Sequence, residues 1–369
     1  MHDTASATID LTALRANLAQ VRDLCPHSRV MAVVKADAYG HGATAVARAL
    51  SAADGFAVAR LLEAVQLRRA GVSQRILLLG TILDAAGLAL CSEQQIDVTA
   101  HDQHSLSGIL ECAARVPLRV WLKLDCGMHR LGFAPLDFLA ADRVLSGHRG
   151  ILELVHMTHF SHAHEPHGPV MERQLACFAA CHGQNRAAPV SMANSALLMT
   201  TRAGPGDWVR PGIMLYGVNP LGARSTLPLR PVMTLRARIM ALRDIGSGES
   251  VGYDGCWRSQ RPSRIATIAI GYADGYPRHA RNGTPVRIGG QLAALVGRVS
   301  MDSIGVDVTD CGSVAVGDEA TLWGQDLPVG QVAECAQTNS YQLLASVSPR
   351  VTRVYLDCAQ VDYTAMGGR

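Results

Sequence analysis

Lysine occurs at only two positions in this chain of 369 residues, Lys35 and Lys123, among 34 Lys and Arg in total. Every other residue of that class is arginine. Two positions that keep a primary amine against such a bias point to chemistry that needs an amine rather than a charge. Covalent condensation with a carbonyl cofactor is the leading case, and a structural lysine is the alternative. Lys35 ends the apolar run V-M-A-V-V, Val30 to Val34, which reads as a short strand buried on both faces. A turn punctuated by Gly-His-Gly follows, and from Ala43 to Ala53 an alanine-rich pattern predicts a helix. An ammonium at the mouth of a buried strand is costly unless it is paired, neutralised or used covalently.

The elements that must position this lysine repeat along the chain. Apolar residues recur at helical spacing from Ile9 to Leu24, then strand-like runs alternate with helical stretches. The runs are Val30–Val34, Gly55–Ala59, Ile76–Leu79, Ile96–Thr99, Leu118–Leu124, Leu152–His159, Val190–Ala193 and Val209–Tyr216. Each but the last precedes a helical pattern, so the fold class is α/β, with an N-terminal (β/α)8 TIM-like barrel. Past residue 230 helical periodicity fades. Short β-like runs such as Arg264–Ile270 and Gln291–Val296 are separated by turn signals such as Asn282-Gly283. A C-terminal, mainly β domain over 231–369 is therefore expected after a barrel over 1–230, with the first ten or so residues free to pack on the second domain.

In such barrels the reactive groups gather at the C-terminal ends of the strands. Those ends deliver Lys35 and Tyr39, then Lys123, Asp125 and Arg130, then His159, then Asn194-Ser195-Ala196, and finally Arg210-Pro211-Gly212-Ile213. The loops after strands seven and eight commonly hold phosphate with backbone N–H groups and a helix start. Ser195 offers a hydroxyl there, or simply a helix cap. Gly212 allows close backbone approach, and Arg210 is placed to face a cofactor ring. A phosphate pocket opposite a buried lysine is what pyridoxal 5'-phosphate requires. The histidines His159, His162, His164 and His167 fit no common zinc spacing, and Pro166 interrupts any helix that would align them. No metal is expected.

Composition narrows the alternatives. With 48% hydrophobic and 18% charged residues the chain is globular, and its length suits two domains. A net charge of +3 and 5% aromatics give no basis for nucleic-acid binding. The ten cysteines form no C-x-x-C pair, which reads as reduced thiols. The N-terminus shows no basic segment followed by an apolar one, and no run approaches a membrane span, so a cytoplasmic location is expected.

Several stretches together carry a resemblance. A-V-V-K-A-D-A-Y-G-H-G, L-K-L-D-C-G-M-H-R-L-G-F, M-T-H-F, N-S-A and R-P-G-I-M-L-Y-G lie in the first part of the chain. S-V-G-Y-D-G-C-W, I-G-Y-A-D-G-Y-P-R, V-G-R-V-S-M-D and S-P-R-V-T-R-V-Y lie in the second. In this order, from Val30 to Tyr355, they resemble the alanine racemases. The resemblance implies interconversion of L-alanine and D-alanine on pyridoxal 5'-phosphate, with Lys35 and Tyr253 as two bases on opposite faces of the substrate carbon. It implies a head-to-tail homodimer in which Tyr253 comes from the partner subunit. The product would supply D-alanine for peptidoglycan, or the reaction would serve alanine catabolism.

The same resemblance assigns further roles. Tyr39, Ser195, Gly212, Ile213 and Tyr355 would hold the phosphate, and Arg210 would donate to the pyridine nitrogen. His159 would join Arg210 and Tyr253 in a hydrogen-bonded chain; read by itself it is equally a core histidine. Arg130 and the backbone near Met301 would receive the substrate carboxylate, with Asp302 beside them. Tyr276 and Arg298 would narrow the entrance. Lys123 matches a lysine that many family members carbamylate, its alternative being a plain ion pair with Asp125. A basic amino-acid decarboxylase or a racemase of broader substrate range on the same scaffold, and a non-catalytic carrier of the cofactor, are the rival readings, and a second base at Tyr253 separates the carrier from the racemase.

Overall fold

The computed structural model describes residues 4–200, 206–222 and 225–357. Eight parallel strands form one sheet, with Arg29–Val33, Gly55–Val58, Arg75–Leu78, Ile96–Ala100, Leu118–Lys123, Ile151–Met157 and Val190–Ser191 in sequence order and Trp208–Val209 beside the first. A bridge between Asn194 and Arg210, just beyond the last two strands, closes the cylinder. A helix follows each of the first seven strands, from Ala43–Ala49 after the first to Ser195–Thr200 after the seventh. The (β/α)8 reading holds. Strands such as Gly55–Val58 and Ile96–Ala100 are buried at every residue, as parallel strands covered on both faces must be.

Two elements differ from the sequence reading. The strand Ala5–Asp10 takes in Ile9 and Asp10, where the spacing predicts the start of the first helix. Its alternate residues are buried, and Asp10 caps the helix Leu11–Leu24 by accepting from the Ala13 N–H (2.8 Å). The eighth strand is only Trp208–Val209. Pro211 has no N–H for the ladder, and Ile213–Tyr216 wind into a single 3₁₀ turn.

The strand Ala5–Asp10 lies in the second sheet, antiparallel to Met233–Ile245 and parallel to Thr352–Leu356. In that sheet Met233–Ile245 also pairs with Ser263–Ile268 and Glu319–Trp323. With Pro285–Ile288, Gln291–Val296 and Ile304–Asp307 the sheet closes on itself, so it has few free edges to protect. Two helices, Val329–Cys335 and Ser340–Ser346, complete the domain. No described helix is long and apolar enough to cross a membrane.

The N-terminal mouth of the first barrel is plugged. Asp97 is buried and accepts from Arg75 and from Trp121 Nε1 (2.9 Å), while Arg75 also reaches Glu153 (2.6 Å). The Arg29 and Arg75 guanidiniums lie over the Trp208 ring at 4.2 and 5.0 Å, a cation–π arrangement. The functional end is thus the other one.

At that other end Lys35 leads into an unusual turn. Ala36, Asp37, Ala38 and Tyr39 have φ of 54, 52, 53 and 54°, one turn of left-handed helix built without glycine. For L-residues this costs roughly 1–2 kcal/mol each, so the surroundings must hold it. Ala38 N–H donates to Val34 O and Gly40 N–H to Ala36 O, both at 2.9 Å. Asp37 Oδ1 accepts from the Ala43 N–H (2.7 Å). Gly40 cannot carry a side chain, because a Cβ would stand 2.1 Å from Leu344 O on the helix Ser340–Ser346. The turn is therefore clasped between the two domains.

His41 completes the clasp. It is fully buried, with Nδ1 at 3.0 Å from Ala38 O and 2.9 Å from Tyr39 O. Both partners are acceptors, so Nδ1 carries the proton. Burial pushes the pKa down to about 4, and a neutral ring is the folded form. The folded value lies below the ordinary one, so this contribution to stability is whole above pH 6.5 and is lost as pH falls toward 4. Lowering the pH from 7 to 5 should cost about 2 kcal/mol through His41 alone. Urea titrations across this range should show a shallower pH dependence in His41→Asn, which keeps a donor but does not titrate.

Candidate active site

A cavity of ≈ 580 Å³ opens at the C-terminal ends of the barrel strands, and Lys35, Tyr39, Lys123, Arg130, His159, Ser195, Arg210, Gly212 and Ile213 all line it. Elements far apart in sequence thus bring nine of the expected side chains and backbone groups to one wall. Tyr341, from the second domain, lines it too.

The wall is built by specific contacts. Asn194, not Ser195, caps the short helix, its Oδ1 accepting from the Leu197 N–H (3.0 Å). This frees the Ser195 hydroxyl, which accepts from the Gly212 N–H (2.9 Å) and lies 3.4 Å from the Met214 N–H. A Cβ at Gly212 would stand 2.6 Å from the Tyr39 hydroxyl, so glycine is what permits this cluster of donors. The Tyr39 ring packs on Tyr216 (centroids 4.8 Å apart), and the Tyr216 hydroxyl donates to Val33 O (2.9 Å) at the end of the lysine strand. Burial raises the Tyr39 phenol above its ordinary pKa, so it stays a donor.

Arg210 is buried. It donates to Thr158 O (2.6 Å) and to the Ser191 hydroxyl. Burial lowers its pKa to about 10, which still leaves a cation at neutral pH. His159 is pushed down to about 3, first by burial and then by Arg210, Lys123, Arg130 and Lys35. Its Nε2 lies 3.5 Å from Asn194 Nδ2. It is thus a neutral ring on the cavity wall, and not a core histidine.

Lys35 lies below the ordinary lysine value because of burial and then Arg130, with Glu63 opposing. Lys123 is pushed down to about 8, mainly by burial and the nearby Arg210 and Arg130. Among the described residues no carboxylate lies within 4.0 Å of either amine. The expected alternative, a Lys123–Asp125 pair, is absent for a clear reason. Asp125 instead accepts from the backbone N–H groups of Gly127, Met128 and His129 and sits 3.1 Å from the His129 ring. Four cationic side chains thus converge, and among the described residues neither lysine has a carboxylate within ion-pair distance, which makes the cavity a receptor for anions.

The second-domain residues stand elsewhere. Tyr253 does not line the cavity; it is 65% exposed on a 3₁₀ turn, Tyr253–Gly255. Arg298 braces that turn through Asp254 (3.0 Å). Met301 and Asp302 are exposed nearby in sequence, and Arg350 bridges Asp302 (2.8 Å) and Asp274 (3.3 Å). The Tyr355 hydroxyl faces Gly42, where a Cβ would meet it at 1.9 Å.

Tyr276 requires a correction. It is 1% exposed and stacked on Trp323, so it faces no entrance. Tyr272, four residues earlier, is the exposed tyrosine of that motif, with Arg278 over its ring. Among the described residues no group of three or more His, Cys, Asp or Glu side chains is placed to hold a metal, the histidines after His159 included. Thr158, Ser191 and Tyr341 were not singled out from the sequence. Ser191 and Thr158 are ordinary barrel residues until Arg210 folds onto them, and nothing around Tyr341 signals a distant barrel.

Gly212→Ala should lower stability by about 1–3 kcal/mol, since the new methyl must displace Tyr39 from a packed site. Urea unfolding of the variant measures this loss.

Comparison with known proteins places the chain in a family. Residues 9–220 match the family model for the alanine racemase N-terminal domain, and residues 232–355 match that for the alanine racemase C-terminal domain. The alanine racemase of Chromohalobacter salexigens is 48% identical over 353 residues, 95% of this chain and 97% of its own. The catabolic alanine racemase of Pseudomonas aeruginosa is 46% identical, over 95% and 98% of the two chains. A crystal structure of the biosynthetic alanine racemase from Pseudomonas aeruginosa superposes with a TM-score of 0.92 at 44% identity, covering 96% of this chain and 100% of that one. On its sequence, its two-domain fold and its cation-lined cavity, the chain belongs to the alanine racemase family.

Proposed function

We propose that this protein interconverts L-alanine and D-alanine with pyridoxal 5'-phosphate in the barrel cavity, and that two chains share each site. The observation that carries the reading is the separation of the two bases: Lys35 lines the cavity, whereas Tyr253 stands exposed on the second domain of the same chain. A tyrosine so placed suits a cavity in a second copy.

The cavity residues fit the cofactor. The Ser195 hydroxyl, the Tyr39 phenol and the N–H groups around Gly212 and Ile213 form a donor cluster at one side, suited to a phosphate dianion, and Tyr355 is proposed to contribute from the strand end. Arg210, held by Thr158 and Ser191, would face the ring nitrogen as a fixed donor that cannot readily release its proton. When bound, the cofactor supplies a carbonyl for the amino group and a conjugated ring that draws off the electron pair left at the α-carbon.

The chain's own residues do the rest. Lys35 Nζ, made less basic by burial and Arg130, takes or returns the α-proton on one face. Tyr253 Oη of the second copy does so on the other, with His159 between it and Arg210. Arg130 and the backbone near Met301 receive the substrate carboxylate, with Asp302 at the partner side, and Arg298 narrows the entrance. An entrance narrowed in this way would favour the methyl side chain of alanine over longer ones. Relatives of both biosynthetic and catabolic type are similarly close, so supply of D-alanine for peptidoglycan and alanine catabolism are both served by the same chemistry.

Mixing inactive Lys35→Ala and Tyr253→Phe proteins tests the shared site. Random reassembly should restore about one quarter of the native activity, because half of the dimers then hold one intact site of two. If mixed dimers form by native mass spectrometry and stay inactive, the shared two-base reading is wrong.

Lys123, an amine near pKa 8 with no carboxylate beside it, is proposed to add CO2 and so to place a negative charge among Arg130, Arg210 and Lys35. Protein equilibrated with 13C-bicarbonate should show a carbamate carbon resonance that is lost in Lys123→Met.

A further inference from the structure

The turn that follows Lys35 is held at its far end by Asp37 and His41, but its near end is held by a residue from a different β/α unit. Glu63, in the first turn of the helix Leu61–Arg69, has a carboxylate that serves three backbone donors. Oε2 accepts from the N–H groups of Ala59 and Arg60, both at 2.9 Å, which is the reciprocal half of a capping box. Oε1 accepts from the Ala36 N–H at 2.6 Å. That N–H belongs to the peptide joining Lys35 to Ala36, and the first donors of a helical turn have no partner inside it. We infer that Glu63 is a positioning residue for Lys35: its carboxylate pins the Lys35–Ala36 peptide plane, and with it the direction of the lysine side chain, and it is the negative charge that tempers the surrounding cations. The inference rests on the reading of Lys35 as a base.

Two physical points support this. Ala36 is exposed and sits in a left-handed conformation that alanine adopts only under constraint. A relaxed backbone there would rotate the Cα–Cβ bond of its neighbour. The titratable groups facing Lys35 are the cationic Arg130, the amine of Lys123 and the neutral ring of His159 around the cavity, and Glu63 from the helix. Glu63 is the anion among them, and it opposes the fall in Lys35 basicity caused by burial and Arg130. A residue that merely capped its own helix would need neither the third hydrogen bond nor this position.

Two substitutions separate the roles in the holoenzyme. Glu63→Asp shortens the side chain by one methylene, so the carboxylate still caps its helix but falls short of Ala36. Its kcat should drop at least about ten-fold, because misplacing a reacting group by an ångström can cost about 100-fold, with KM changed less than about two-fold and a melting temperature close to native. Glu63→Gln removes the charge. The visible absorbance of the resting holoenzyme follows the proton on the Lys35 nitrogen, and its titration midpoint should move down by about 0.5–1 pH unit. Should both variants fold poorly, hydrogen exchange of the native protein decides: the Ala36 amide should be protected although its residue is exposed. Native kcat in Glu63→Asp with an unmoved titration in Glu63→Gln, or free exchange at Ala36, overturns the inference and leaves Glu63 a helix cap. Lys35→Ala with retained racemisation would instead remove the reading of Lys35 on which the inference rests, whatever the Glu63 variants do.

Discussion

The structure depends on a backbone conformation that its own residues disfavour. Four consecutive non-glycine residues after Lys35 stand in the left-handed region, and each would relax if freed. They do not relax because the turn is gripped on all sides. The buried His41 ring holds two of its carbonyls, and Asp37 ties it to the next helix. Arg353 reaches from the second domain to Gly40 O (3.0 Å). The strain is local and its compensation is global, so Lys35 is only as well placed as the contact between the domains.

That dependence explains why the N-terminal strand and the C-terminal strand flank each other in the second sheet. Asn17, on the first helix, donates to Leu215 O (3.0 Å) and Arg230 O (2.8 Å) and accepts from the Arg230 N–H (2.9 Å). These bonds tie the end of the barrel to the start of the second domain. The helix Ser340–Ser346 then lies against the left-handed turn and sends Tyr341 to the cavity wall. The second domain thus shapes the cavity of its own chain as well as carrying the exposed Tyr253.

The electrostatic character of the cavity follows from the same economy. A barrel mouth with Lys35, Lys123, Arg130 and Arg210 and no facing carboxylate within ion-pair distance among the described residues is unfavourable when empty of anions. Burial lowers the proton affinity of Lys35, Lys123 and Arg210, and the neighbouring cations lower that of both lysines further. A cavity that favours anions, and amines whose proton affinity is lowered, are two consequences of one arrangement.

Much of this was legible in residue order. The scarcity of lysine marked Lys35 and Lys123, the apolar runs located seven of the eight barrel strands and met the eighth only at Val209, and Gly212 and Ser195 were expected side by side and do meet, because burial and backbone freedom impose residue types locally. What residue order did not determine is equally specific. Nothing in A-D-A-Y announces a left-handed turn, since alanine and aspartate have no intrinsic preference for it and only contacts from distant segments sustain it. Ile9 looked helical because period-2 and helical patterns overlap over so few residues, and only the place between Met233–Ile245 and Thr352–Leu356 in the second sheet made a strand of Ala5–Asp10. Tyr276 and Tyr272 are indistinguishable by type, and packing on Trp323 alone decided which is buried. Local chemistry set which groups the chain carries; long-range packing decided where they point.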